Sequence, residues 1–429
     1  MLTFVDLRGY SGDPLARVPR ARQSFDEARL SVREVIGDVR RDGDAAVRAL
    51  THRFDGATID SLRIEPDEID EAAAACNLQL RAGIERAAER IRAYHERQLA
   101  EERAPWWRLG QDGAWVGEET RALRRVGCYV PGGRAAYPST VLMTTIPARV
   151  AGVEEIAVCV PPGPDGRPHP ATLTALSIAG VGEAYRIGGA QAIAALAYGT
   201  ETISRVDKIV GPGSIWVTLA KHEVSMDVGV DGFAGPTEIV IVADDGADPR
   251  FVAADLVAQA EHDPLALCVL VTSSQSLIDA VQKEIVREAA GALRRDTVDR
   301  ALSGQGYALL ADDLDHALAI ADAFAPEHLE LVIDDPEAAL ARVRNAGAVF
   351  CGGLSPVALG DYVAGTNHVL PTAGTGRFAS PLRVSDFVKT TAVINFGKSG
   401  IEDLAPALTA IAAEEGLAAH ARAIEVRLS

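Results

Sequence analysis

Aromatic residues are scarce in this chain of 429 residues, at 5%, so its cores cannot be built on stacked rings. Hydrophobic residues still make up 48% of it. The interiors must therefore be aliphatic and alanine-rich, as in helix-covered parallel sheets. Cysteine is sparse too: Cys76, Cys128, Cys159, Cys268 and Cys351 are scattered and form no CxxC. That pattern excludes a thiolate zinc site and fits a reducing compartment. Cys159 and Cys268 fall in apolar runs and read as packing residues. Basic residues are in deficit, 42 against 60 acids, for a net charge of −18. The deficit argues against a nucleic-acid backbone or an anionic membrane surface as the main partner. No apolar run reaches the roughly 18 residues needed to span a bilayer. The N-terminal stretch MLTFVDLRGYSGDPLARVPRAR lacks the apolar core of a signal peptide. A soluble cytoplasmic protein is expected.

The length predicts about three domains, or two with extensions. Residues 1–30 are weakly patterned and read as an arm. Ser31 to Phe54 has helical spacing through Val32, Val35, Ile36, Val39, Ala46, Val47 and Leu50. Gly43 within it predicts two helices or a kink. Pro66 to about Arg103 is a second helical region, and Trp106, Trp107 and Trp115 follow in a segment that reads as a loop. From Val126, short apolar runs alternate with helices of about ten residues, the pattern of βαβ units in a parallel sheet. The alternation restarts at Thr237 and runs to Cys351. Right-handed crossovers then give two doubly wound α/β layers without a sequence repeat between them. The predicted division is a first parallel-sheet domain from 31–125 plus 234–379, a second one inserted at 126–233, and a tail at 380–429. The tail has too little core to stand alone and must rest on another body.

The stretch Gly235–Pro264 organises the chemistry. Ile239–Ala243 is a β-branched run buried on both faces, Asp244-Asp245-Gly246 is a turn, and Asp248-Pro249 starts a helix that Asp263-Pro264 ends. Gln259 and His262 then share one face of its last turn. Together they offer an amide oxygen and an imidazole nitrogen, half of a four-ligand site; the plainer alternative is a capping His beside a solvated Gln. Glu327-His328 precedes a strand, where an irregular junction lets both face one site and share base duties. Asp361 and His368 lie in a polar, Gly-spaced loop expected at the carboxyl end of a strand, where such loops carry function. Glu415 and His420 flank Gly416 in the tail. The Gly-rich turns at GGAQAIAA (188–195) and Gly211-Pro212-Gly213 bring backbone N–H groups to helix starts, which suits a nucleotide. Oxygen and nitrogen donors without thiolates suit zinc in a site that substrate completes. Which four ligands converge stays open on these grounds.

YVPGG, YPSTVLM, GGAQAIAALAYGTE, DKIVGPG, AGPTE, AQAEHDP, PEHLEL, GDYVAGTNHVLPT and EGLAAHARA occur in one order, and with them the chain resembles histidinol dehydrogenase over nearly its whole length. The resemblance implies a cytoplasmic, NAD-linked enzyme of histidine biosynthesis with one zinc per subunit. It would oxidise L-histidinol through the aldehyde to L-histidine with two NAD. It also implies two Rossmann-like domains and a homodimer that exchanges C-terminal segments. Carried over by motif, the zinc ligands are Gln259, His262, Asp361 and His420, the last lent to the other subunit. The catalytic pair is Glu327 and His328. Substrate contacts are Thr237, His328, His368 and Glu415 besides the metal ligands. Tyr129, Gln191 and Ser214 fall at cofactor-binding positions. Ser214 stands where the family commonly has Asn, and Thr237 where Ser is common. Two rival readings are a related zinc/NAD dehydrogenase of another small alcohol or sulfonated diol, and a non-catalytic metal-binding protein on the same fold.

Overall fold

The computed structural model describes residues 1–20, 25–102, 106–111, 114–132 and 136–429. Gly133, the third residue of the predicted Pro-Gly-Gly turn, and Arg103 lie outside the described residues.

Two six-stranded sheets carry the molecule. The first runs in the spatial order Thr3–Asp6, Gly306–Leu310, Leu267–Thr272, Glu238–Ala243, His328–Val332, Ala348–Cys351, with every neighbour parallel. Its middle strands are continuous apolar runs because helices cover both faces. The Pro249–Ala260, Gln275–Gly291 and Arg295–Gln305 helices bury one face against Ile239, Ile241 and Leu270. The Leu314–Phe324 helix covers the other, with Phe324 against Val240 and Val242. The second sheet runs Arg63–Ile64, Glu183–Tyr185, Glu155–Cys159, Arg125–Tyr129, Lys208–Val210, Gly229–Val230, parallel except for its first edge strand. Numbered along the chain within each sheet, both have the order 1-4-3-2-5-6. The similar architecture read from the sequence is thus the same strand order twice, differing in the direction of the first edge strand.

The domain boundaries differ from those predicted. The Asp26–Asp55 helix packs on the Gly189–Tyr198 and Ile215–Val224 helices, and Leu78–Glu102 packs on Pro138–Ala151. Residues 26–102 therefore belong to the second sheet, not the first. The N-terminal arm contributes an edge strand, since Thr3–Asp6 pairs with Tyr307–Leu310. The insertion into the first sheet accordingly spans from about residue 26 to residue 230. An apolar helical stripe demands burial but does not name its partner, which is why the sequence left this open. The Asp26–Asp55 helix does break at Gly43 (φ 51°, ψ −131°). A Cβ there would strike the Glu201 carboxylate, which accepts from Asp44 N at 2.8 Å.

The Trp segment is not a loop. Trp106–Gln111 and Ala114–Ala122 form a hairpin, and Val388–Phe396 from the tail pairs antiparallel along its other edge. The Arg108 guanidinium lies over the Trp106 and Trp115 rings, 4.6 and 5.1 Å from their centroids. Beyond this strand the Lys398–Glu414 and Ala418–Leu428 helices pack chiefly on each other. The tail is fastened to the second sheet by Leu382, Val384 and Phe387, all buried beside Met143 and Ile146. Among the described residues no helix is long and apolar enough to cross a membrane.

Phe387→Ala should cost about 3–5 kcal/mol of local stability. Limited proteolysis should then cut the 388–429 segment faster, with a lower denaturant midpoint for the second-sheet domain.

Candidate active site

The predicted strand, turn and helix of the 235–264 stretch form as Glu238–Ala243 and Pro249–Ala260, with Asp248 accepting from Arg250 N at 2.9 Å as N-cap. Gln259 is in the helix and buried, while His262 stands just past its end, exposed, with its N–H on the Gln259 carbonyl at 3.3 Å. Thr237 precedes the central strand. Its hydroxyl donates to Glu327 Oε2 and accepts from Gln259 Nε2. The Gln259 amide is thereby oriented with its nitrogen occupied and its oxygen left to face outward. Glu238 N also donates to Glu327 Oε2, at 2.9 Å.

Glu327 and His328 are buried neighbours at the amino end of the His328–Val332 strand. Burial pushes the Glu327 carboxyl up to about 8, opposed by the Thr237 and Glu238 hydrogen bonds and reinforced by the charges of Glu238 and Asp361. Burial also pushes the His328 imidazole below its usual range, against the attraction of Asp361. His328 Nδ1 lies 3.0 Å from the Glu238 carbonyl. That carbonyl only accepts, so Nδ1 carries the proton and Nε2 keeps its lone pair. Nε2 is 3.8 Å from Asp361 Oδ1.

Asp361 and His368 were expected in a loop at the carboxyl end of a strand. Asp361 instead lies on a short helix, Val357–Tyr362, which runs back along the sheet and delivers it to the amino end, beside His328. His368 Nδ1 donates to the Asp361 carbonyl at 2.9 Å, and its Nε2 accepts from the Thr140 hydroxyl at 3.0 Å. Burial holds the His368 imidazole down at about 4. Thr140 sits in the first turn of the Pro138–Ala151 helix, at the carboxyl edge of the second sheet. The cluster therefore lies where the amino edge of one sheet meets the carboxyl edge of the other. His262, just past the helix that holds Gln259, is near enough to His328 and His368 to influence both rings.

Thus Thr237, Gln259, His262, Glu327, His328, Asp361 and His368 are brought together. Glu415 and His420 are not. Both are exposed in the tail, separated by Gly416 in a left-handed turn, and neither bonds to the cluster among the described residues. No three His, Cys, Asp or Glu side chains of one chain converge as a metal-holding group among those residues. One chain offers three of the four expected donors instead: the Gln259 amide oxygen, the His262 ring and the Asp361 carboxylate. These donors suit a zinc ion. The carboxyl groups crowded at Glu327, with burial opposing their charge, would be relieved by a dication held there.

Tyr129, Gln191 and Ser214 also come together. They line a cavity of 530 Å³ at the carboxyl edge of the second sheet, closed on the far side by Val35, Asp38 and Asp55 of the Asp26–Asp55 helix and by Trp216. Tyr129 Oη accepts from Gly189 N at 3.1 Å. Gln191 Nε2 and Asp55 Oδ2 are buried without a protein partner. A donor amide and an acceptor carboxylate left unsatisfied in a cavity beside a glycine-started helix fit a dinucleotide. Burial raises Asp55 to about 6. Sequence reasoning missed Asp55, which reads as an ordinary helix-end residue before Gly56, and Thr140, whose contact with His368 spans 228 positions.

The sequence profile of the family described as histidinol dehydrogenase matches residues 18–428. The histidinol dehydrogenase of Moorella thermoacetica is 48% identical over 433 residues, covering 100% of each chain. That of Bacillus subtilis is 48% identical over 402 residues, 94% of this chain and 93% of its own. The crystal structure of histidinol dehydrogenase from Elizabethkingia anophelis matches with a TM-score of 0.93 at 33% identity, covering 100% of this chain and 98% of that one.

Thr237→Val keeps the shape but strands Gln259 Nε2 and removes a donor from Glu327. It should lower stability by about 1–3 kcal/mol in thermal unfolding, with Thr237→Ser close to the parent. Asp55 has a raised carboxyl, so the folded state holds its proton longer than the unfolded chain. Stability from this group is present below about pH 4 and is lost as pH rises through about 6. Asp55→Asn should flatten the melting temperature between those values and raise it at neutral pH; an unchanged profile would count against the buried carboxylate.

Proposed function

The chain belongs to the histidinol dehydrogenase family, and we propose that it oxidises L-histidinol through histidinal to L-histidine with two NAD, as a zinc-dependent homodimer of the cytoplasm. The observation that carries this reading is the buried Glu327–His328 pair set beside the Gln259, His262 and Asp361 donors, where the first sheet meets the carboxyl edge of the second, the edge that also carries the Tyr129–Gln191–Ser214 cavity.

Hydride leaves a carbinol carbon only as its hydroxyl gives up a proton. His328 is neutral because burial depresses it, and its Nδ1 proton is committed to the Glu238 carbonyl. Nε2 is therefore the atom that accepts the substrate proton. The second oxidation requires water added to the aldehyde. Glu327 is held by Thr237 and Glu238 N through Oε2, and takes the proton of that water through its carboxylate. A carboxyl raised to about 8 is matched to such a transfer near neutrality. His368, fixed between Asp361 and Thr140, orients the substrate end that reaches the second-sheet domain. Zinc would be held by Gln259, His262, Asp361 and His420 of the partner subunit, and when bound it would fix the imidazole and amine of the substrate and polarise nearby charge. Glu415 of the partner subunit would come with that histidine and bind substrate. NAD would lie in the cavity, with Tyr129, Gln191 and Ser214 as its contacts. Exchange of the tail is supported by apolar residues that one chain leaves in water, Leu404 at 48%, Ile411 at 60% and Ile394 at 75% exposure.

Purified protein supplied with L-histidinol and NAD should release two NADH per histidine, read by absorbance. His328→Ala should lower turnover about 10²–10⁴-fold with bound zinc retained. Chains ending before Ser380 should lose zinc. No NADH from histidinol would overturn the substrate, and stoichiometric zinc in the shortened chain would remove His420 from the ligand set.

A further inference from the structure

Glu330 is a carboxyl group where the surrounding core is aliphatic. It is 2% exposed in the His328–Val332 strand, with Ile241 and Phe350 opposite it on the flanking strands. Its Oε1 accepts from Val357 N at 3.0 Å, at the first residue of the Val357–Tyr362 helix. Its Oε2 is buried with no N–H or hydroxyl donor. The half-buried carboxyl of Asp255 lies beside it, on the Pro249–Ala260 helix that covers the sheet face Glu330 shares with Ile241. Two carboxylates only accept, so one proton must lie between them. Glu330 is the more deeply buried of the two, so the negative charge is better carried by the half-buried Asp255. The proton therefore belongs to Glu330, and Asp255 accepts it.

The three segments that meet here are those that carry the candidate site. Asp255 is one helical turn before Gln259 and on the same face. Glu330 is one strand repeat past His328 and on the same face. Val357 is one turn before Asp361. We infer that Asp255 and Glu330 are a positioning pair: a protonated Glu330, donating to Asp255 and accepting from Val357 N, clamps the helix of Gln259, the strand of His328 and the helix of Asp361 in one register. Neither residue touches the reacting atoms. The clamp costs a buried carboxyl, and in return it fixes the spacing of three site residues, Gln259, His328 and Asp361, that lie far apart in the chain.

The inference rests on the reading of Gln259, His328 and Asp361 as site residues, and its test separates the two. Glu330→Gln keeps a neutral donor toward Asp255 and an acceptor for Val357 N. Glu330→Met keeps the volume but strands both. For Glu330→Gln, kcat and zinc affinity, the latter by chelator competition, should stay within about 3-fold of the parent. Glu330→Met should lose about 10–100-fold in one or both while KM for NAD, read on the other sheet, holds. Hydrogen exchange at the Val357 amide should be slow in the parent and Gln proteins and fast in the Met protein. A folded Met variant with parental zinc affinity, kcat and Val357 exchange would overturn the clamp. So would a Gln variant as impaired as Met, because the group would then need its negative charge. If the Met variant does not fold, the Gln variant decides alone: a loss above about 10-fold, or a fast Val357 amide, overturns the pair. A parent without zinc or activity would sink the functional reading, while Val357 exchange would still report on the clamp.

Discussion

The Thr237 hydroxyl holds Glu327 with its proton and Gln259 with its lone pair, and the rest of the site is arranged around that short relay. It ties the start of the central strand to the end of one strand-crossing helix and to the junction before the neighbouring strand. Without it the buried Glu327 carboxyl would keep one backbone donor, and the Gln259 amide would be free to turn its nitrogen outward. The same relay explains why a β-branched hydroxyl serves here: Thr is stiff at χ1 and keeps both bonds aimed.

The site inverts the usual placement on one of its two sheets. In open parallel sheets ligands normally gather at the carboxyl ends of strands. The second sheet obeys this, with Tyr129, Gly189 and Ser214 around its cavity. The first sheet turns its amino edge to the same seam, and the Val357–Tyr362 helix runs backward to bring Asp361 there. Two copies of one strand order thus face each other edge to opposite edge, which lets one supply glycine-rich turns and the other supply titratable side chains.

Much of the fold was readable because buried parallel strands are continuous apolar runs; Ile239–Ala243 and Leu267–Thr272 stood out for that reason. Three short strands, Thr3–Asp6, Arg63–Ile64 and Gly229–Val230, carry no period to detect and were missed. The Arg295–Gln305 helix escaped because only Val298, Ala301 and Leu302 are buried in an otherwise polar run. The Trp106–Gln111 strand hid because its rings are half in water. Donor types at the site were visible, but their convergence was not: Thr237 and Glu327 are 90 positions apart, and no spacing rule reaches that far. The motif resemblance, not periodicity, joined them. The sheet to which residues 26–102 attach was equally beyond reach, since an amphipathic helix advertises a face and not an address.

The edge strand Thr3–Asp6 finds its partner at Tyr307–Leu310, with the whole second-sheet domain between them. On a ribosome, Thr3–Asp6 must wait for about three hundred more residues before it can be paired, while the inserted unit can close on itself. Synthesis of this molecule is therefore staged from the inside out, and that edge strand travels as an unmatched ribbon until the enclosing sheet is nearly complete.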